Sequence, residues 1–322
     1  MSRRALIIGI DDYDKGSSLG GCVNDAIAMQ AILERHENGD LNFECRLFTS
    51  PGKVPVTRKL LREKLEELFN DFTGDILFYF SGHGMPTKFG GFLVTQDATR
   101  DDPGVAMNDL LHLANTSHAR SIFLILDCCH SGDLGNPPNM QGGDIENRAQ
   151  LKEGLTILAA SRATQVAIET DGNGLFTNLI LGALRGGAAD IRGNVSAASI
   201  YGYAAQALTS WDQTPVYKSH AYQLPPIRKC LPAVQDSLLR ELPTIFETAE
   251  SLIRMNKSYE HTESEALPEN VTLFDKFKLL RNARLLTTEE NRDLYYVAIG
   301  SMTVRLTELG QFYWYLARSK KI

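Results

Sequence analysis

Cys128, Cys129 and His130 follow Asp127 directly after a short apolar run, IFLIL at 122–126. An ionised thiol attacks a carbonyl carbon, given a base to take its proton and donors to hold the oxyanion that forms. A candidate base stands 46 residues before Cys129: the run DILFYF at 75–80 leads into Ser81-Gly82-His83-Gly84. Neither run alternates polar with apolar residues, which predicts strands buried on both faces of a parallel sheet. If the two strands are neighbours, His83 and the cysteine pair open on one crevice at the carboxyl end of the sheet. Consecutive side chains at a strand end point to opposite sides, so only one cysteine faces His83 and the other packs inward as a small hydrophobe. His130 adjoins the cysteines and is badly placed to face either in extended backbone. Zinc is the competing chemistry. Structural zinc sites use spaced ligand pairs, and adjacent cysteines without a second pair do not supply them.

Several elements must position these residues. ALIIGI at 5–10 reads as the first buried strand, and a Gly/Asp/Ser-rich loop follows at 11–21. Helix periodicity covers 22–35, with Ala26, Met29, Ile32 and Leu33 on one face, and 56–69, with Leu60, Leu61, Leu65 and Leu68. Further strands are expected at 43–48 and 155–160, a small hairpin arm at 90–94, and helices at 106–113, 175–184 and 196–208. Thr214-Pro215-Val216-Tyr217 suits an edge strand, where proline is tolerated. Strands alternating with helices predict an α/β fold, a mostly parallel central sheet flanked by helices through right-handed crossovers. The segment 135–153 is rich in Gly, Pro and Asn, has no periodicity, and reads as an exposed mobile loop.

Composition narrows the class. The chain has 322 residues, 43% hydrophobic and 22% charged, with a net charge of −6. That suits a globular domain with an appendage and gives no electrostatic bias toward nucleic acid or an anionic membrane. No apolar run approaches the ~20 residues needed to cross a bilayer. Five cysteines without framework spacing suit a reducing, cytoplasmic compartment.

The pair SGHG and DCCHSG strongly resembles the caspase-like cysteine peptidases, in the metacaspase and bacterial caspase branch. Animal caspases follow the nucleophile with a different signature, and their histidine stands about 50 residues upstream. The resemblance covers about 4–228 and extends to Ala159-Ala160-Ser161, Glu169, Gly174-Leu175-Phe176-Thr177 and Gln213-Thr214-Pro215. It implies His83 and Cys129 as a catalytic dyad, with the amides of Gly84 and Cys129 as oxyanion hole. It also implies two acidic residues in the pocket for the side chain before the scissile bond: Asp127, and Asp25 in Gly21-Cys22-Val23-Asn24-Asp25. Ser81 and Cys22 match further pocket positions. Two carboxylates in a partly desolvated pocket favour a guanidinium or ammonium, so cleavage after Arg, with Lys second, is expected.

Arg148, in the 135–153 loop, is then the expected processing position, for self-cleavage or for an activating protease. Many metacaspases are calcium-activated. Asp97, Asn108, Asp109 and Asp133 match that acidic cluster only in part, with Asn108 where an acid is expected, so no cofactor is required by this reading, calcium stays an open option, and no metal ligand set is assigned. The expected domains are a peptidase domain at 1–230 and a helical extension at 231–322, with helical stretches at 233–255 and 274–318. By resemblance the extension would hold a zymogen inactive or dock a regulatory partner, in bacterial defence or cell-death signalling. Protein substrates are the expected partners, with neither nucleic acid nor membrane. The alternative is a catalytically silent adaptor on the same fold.

Overall fold

The computed structural model describes residues 2–87, 90–128, 134, 151–160, 169–170, 173–208, 215–221 and 225–322. The chain divides into two compact units, Met1–Ala189 with Asn194–Cys230, and Asp190–Gly193 with Leu231–Ile322.

The first unit is built on a six-stranded sheet. In chain order its elements are β1 (Arg3–Ile10), α1 (Cys22–Leu33), β2 (Glu44–Ser50), α2 (Arg58–Phe69), β3 (Asp75–Ser81), β4 (Gly84–Thr87), β5 (Gly90–Val94), β6 (Gly104–Ala106), α3 (Met107–Thr116), β7 (Ser121–Asp127), β8 (Leu155–Ala159), β9 (Glu169–Thr170), β10 (Asn173–Gly174), α4 (Leu175–Gly182), β11 (Asn194–Val195), α5 (Ala197–Leu208), β12 (Val216–His220) and β13 (Arg228–Lys229). The sheet runs β12-β8-β7-β3-β1-β2. Five strands are parallel and β12 closes the edge antiparallel to β8. This is the expected mostly parallel sheet, and Pro215 sits just ahead of its edge strand, where no ladder donor is needed. The hairpin arm is a three-stranded antiparallel sheet, β4-β5-β6.

Alternation along the buried strands sends side chains to two separate helical layers. Leu6, Ile8, Phe78, Phe80, Leu124 and Leu126 pack with Leu61 and Leu65 of α2 and Leu110 of α3. Ala5, Ile7, Leu77, Phe123 and Ile125 pack with Met29 of α1, Ile180 of α4 and Ile200 of α5. The β1–α1 crossing is close: a Cβ on Gly9 would collide with the Cys22 carbonyl oxygen and stand 2.7 Å from Ala26 Cβ. Gly9→Ala is therefore expected to destabilise the fold by about 1–3 kcal/mol or more. Gly202→Ala, on α5 with nothing within 4 Å, should stabilise by up to ~1 kcal/mol. Urea unfolding of both variants checks the contrast; equal midpoints would refute it.

At the amino ends of the strands lies a charge cluster around the buried Asp75. Asp75 pairs with Arg120 at 2.7 Å and with Arg3 at 3.2 Å. Arg3 also donates to Asn42 Oδ1, to Pro226 O at 2.8 Å and to Ile227 O at 3.2 Å. Asn42 adds a bond to Ile227 O at 3.1 Å, and the backbone of Lys229 is held by His36 Nδ1 and the Glu37 amide. The last strand segment of the unit is thereby fixed beside the first.

The second unit contains α6 (Asp236–Ile245), β14 (Ile253–Arg254), α7 (Pro268–Asn282), β15 (Leu286–Thr288), α8 (Leu294–Ile299), β16 (Thr303–Leu306) and α9 (Glu308–Arg318). Helices fill only parts of the two expected helical stretches, α7 starts earlier than expected at Pro268, and an antiparallel sheet β14-β16-β15 that helix periodicity did not anticipate runs among them. Thr287-Thr288-Glu289-Glu290, which reads as a helix start, is instead a strand end running into a 3₁₀ turn; α8 begins later, where Asp293 accepts from the Tyr295 amide. Phe246, Phe274, Phe277, Leu242 and Trp314 make the core. In the run Phe312–Tyr315 only Trp314 is buried, its Nε1 donating to Phe246 O at 2.8 Å. Among the described residues no helix is long and apolar enough to cross a membrane.

Candidate active site

The register of β3 and β7 sets the site. Ser81 lies opposite Asp127, and the Gly82 amide donates to Asp127 O at 3.3 Å, tying the two strand ends together. His83 follows at once and is held from three directions. Its amide donates to Tyr13 Oη at 2.7 Å, the Tyr13 ring packs on the imidazole at 4.7 Å between centroids, and Nε2 lies 2.8 Å from Ser17 O. A carbonyl only accepts, so Nε2 carries the proton there and Nδ1 is the basic nitrogen of the neutral ring. Tyr13 is buried, and its phenol is pushed far above its ordinary range by desolvation, so it stays a neutral clamp.

Cys129 lies outside the described residues, as do Asp133, Arg148 and residues 135–150 of the expected loop. Cys128 is buried in the apolar cluster beneath α2 and α3, which is where the inward-packing cysteine belongs. Lys152, at the end of the expected loop, is anchored: its Nζ donates to Ser117 O at 2.6 Å and to Ala119 O at 3.0 Å. Gly84 opens β4. Because Val94 N bonds to His83 O, Gly84 and Leu93 form a non-hydrogen-bonded pair, and the Gly84 amide turns away from β5.

The two acidic residues meet. Asp25, on the first turn of α1, accepts from Ser81 Oγ at 3.1 Å and from the Gly174 amide at 3.2 and 3.3 Å. Asp127 accepts from Thr177 Oγ1 at 2.6 Å and from the Thr177 backbone amide. A Cβ on Gly174 would stand 3.0 Å from Asp127 Oδ2 and 3.2 Å from Asp25 Oδ2, so both carboxylates face the same Cα. Burial, then the charge of Asp127, pushes the Asp25 carboxyl up to about 7, against the donors Ser81 and Gly174. Burial also raises Asp127, and the two Thr177 donors oppose it. The Cys22 thiol is pushed well above its ordinary value by burial and by Asp11, Asp127 and Asp25, which keeps it protonated and unreactive.

Sequence reasoning missed the residues that fix this geometry. Asp11 caps α1, accepting from the Cys22 amide at 2.8 Å and the Val23 amide at 3.2 Å, since Gly21 has no side chain to do so. Ser17 acts through a main-chain carbonyl, which leaves no side-chain signature. Asp11 and Tyr13 stood in plain view right after β1 but read only as a polar loop. Of the calcium candidates, Asp133 lies outside the described residues. Asp97 caps α2 through the Arg58 amide, and Asp109 pairs with Arg62 at 2.9 Å. Among the described residues no three His, Cys, Asp or Glu converge to hold a metal.

The model of the caspase domain family matches residues 2–227. The chain belongs to the caspase-domain family. Within it, this caspase-domain chain is similar to metacaspases. It is 29% identical to Metacaspase-6 of Arabidopsis thaliana over 54% of the chain and 49% of that relative. It is 30% identical to Metacaspase-5 of Trypanosoma brucei brucei over 42% of the chain and 30% of that relative. The chain thus spans half or less of these relatives' own length. A solved protein of Geobacter sulfurreducens shares the fold, with a TM-score of 0.53 at 18% identity over 72% of this chain and 98% of that one.

Proposed function

We propose that this caspase-domain protein is a cysteine endopeptidase that cuts after Arg, and less well after Lys, through Cys129 and His83. The observation that carries the specificity is the convergence of Asp25 and Asp127 on Gly174 at the carboxyl end of the sheet, beside the strand that delivers His83. An anionic pair in a partly desolvated pocket attracts a guanidinium and rejects a carboxylate.

In the proposed reaction the thiol proton of Cys129 passes to Nδ1 of His83, and the thiolate attacks the carbonyl carbon of the Arg residue. The amides of Gly84 and Cys129 hold the oxyanion. As the C–N bond breaks, His83 gives its proton to the leaving amine; water, deprotonated by His83, then releases the acyl group. Ser17 O keeps Nε2–H engaged throughout, so Nδ1 stays the working nitrogen. With this preference Arg148 becomes a self-cleavage position, and a regulated role in defence or cell-death signalling belongs to the same proposal.

The test is hydrolysis of matched fluorogenic peptides ending in Arg, Lys or Asp, with and without calcium, by wild type and Cys129→Ala. Arg is expected to exceed Lys, with Asp inert and all turnover lost in the variant. Cleavage after Asp would overturn the pocket. Silence that persists after the chain is cut at Arg148 would leave the adaptor reading.

A further inference from the structure

α4 begins without a capping side chain of its own, because Gly174 stands at its N-cap. The first turn of a helix leaves backbone donors unpaired, and here the two acidic residues accept them. The Gly174 amide goes to Asp25, and the Thr177 amide to Asp127. Thr177 adds its hydroxyl, 2.6 Å from Asp127 Oδ2, and is itself fully buried. That hydroxyl has one proton, and Asp127 takes it. Thr177 Oγ1 must then accept from Tyr79 Oη, 2.6 Å away on a fully buried ring. The same phenol also meets Ser81, the donor to Asp25. The order Tyr79 to Thr177 to Asp127 is fixed by proton count alone, and it ends on a carboxylate.

Two carboxylates facing one Cα repel each other, and a proton taken by one of them relieves the repulsion. Each proton so taken weakens the pair's preference for a cation. The groups that hold the negative charge in place thus decide selectivity as much as the acids do. We infer that Thr177 is a positioning residue that determines specificity: by giving Asp127 both its hydroxyl and its amide, it aims that carboxylate and favours its charged form, and so makes the pocket select a cationic side chain. The inference rests on the Arg-directed reading above and adds a residue that does not itself contact the substrate.

The experiment compares wild type, Thr177→Val and Thr177→Ser. Two peptides are used that differ only in carrying Arg or its neutral isostere citrulline before the scissile bond. A hydrogen bond to a charged group is worth enough to change binding about 10- to 100-fold. Thr177→Val is expected to raise KM for the Arg peptide by about 10-fold or more, with kcat changed less than ~2-fold, so that the Arg-to-citrulline ratio of kcat/KM collapses. Thr177→Ser, which keeps the hydroxyl, should recover most of the ratio. Equal losses on both peptides, or failure of Ser to rescue, would make Thr177 a packing residue and overturn the inference. A wild type that does not distinguish Arg from citrulline would instead overturn the pocket itself. Calorimetric binding of agmatine, a free guanidinium, reads the same pocket without turnover. Wild type should bind it at least ~10-fold more tightly than Thr177→Val; equal affinities would overturn the inference, and no binding to wild type would overturn both.

Discussion

His83→Gln is expected to lower kcat for an Arg peptide by about 10³-fold, within the 10²–10⁴ range of general acid–base catalysis, while KM changes little. Glutamine is close to histidine in reach, and its amide can still donate to Ser17 O, the acceptor that lies 2.8 Å from Nε2. Tyr13 still clamps the backbone, because that bond uses the residue's amide. What is lost is the basic nitrogen. A free thiol near pKa ~8.5 is only a few per cent thiolate at neutral pH. The variant should therefore regain rate as pH rises to about 9, when the thiol ionises unaided. Cys129→Ala should regain nothing. Rate profiles of the three proteins between pH 6 and 9 check this; a His83→Gln profile parallel to wild type would show that His83 is not the base.

Asp25→Asn is expected to lose most Arg cleavage and to gain stability. The loss follows if Asp25 is one of two charges that hold the substrate cation, as proposed; breaking such a pair costs about 2–5 kcal/mol, or 30-fold and upward in kcat/KM. The gain follows from linkage. The folded-state carboxyl titrates at about 7, raised by burial and by Asp127 from an ordinary 3.8. Between those values the folded chain keeps a proton that the unfolded chain has released. The stability contributed by that proton is complete below the unfolded value and is lost as pH rises through the folded one. At pH 8 wild type therefore carries the whole cost of a buried, repelled carboxylate, on the order of 2–4 kcal/mol. Asparagine never carries it, and its carbonyl can still accept from Ser81 and Gly174. Urea unfolding at pH 5 and pH 8 should show a gap in favour of the variant that opens with pH. A constant or reversed gap would mean that Asp25 is not the strained group.

The parallel sheet was legible because DILFYF and IFLIL are too apolar to lie anywhere but between two layers, and because His83 and Cys129 are each two residues past a strand end. The small sheet of the second unit was not. Its strands are two to four residues long, too short to show a period of two. The Thr-Thr-Glu-Glu run imitates a helix start because strand ends and helix caps draw on the same polar residues. In the site, the acids and Ser81 were legible, and most of the other groups that hold the geometry were not. Ser17 and Gly174 act through the main chain, and Thr177 falls in a helix whose cap is supplied by residues remote in sequence.

The staple at the other end of the sheet has a mechanical consequence. Any tension on the chain as it leaves the first unit after Cys230 acts on a segment whose carbonyls at Pro226 and Ile227 are gripped by Arg3 and Asn42. Arg3 is the first residue of β1, and Asp75 behind it is the first of β3. Lys229, nearer the exit, is held by His36 and Glu37, and behind these grips β1 and β3 are paired to each other and to their neighbours along their length. Ser81 and Asp127 lie at the far end of those ladders. The exit segment is thus anchored at the opposite end of the sheet from the pocket, a full strand length away.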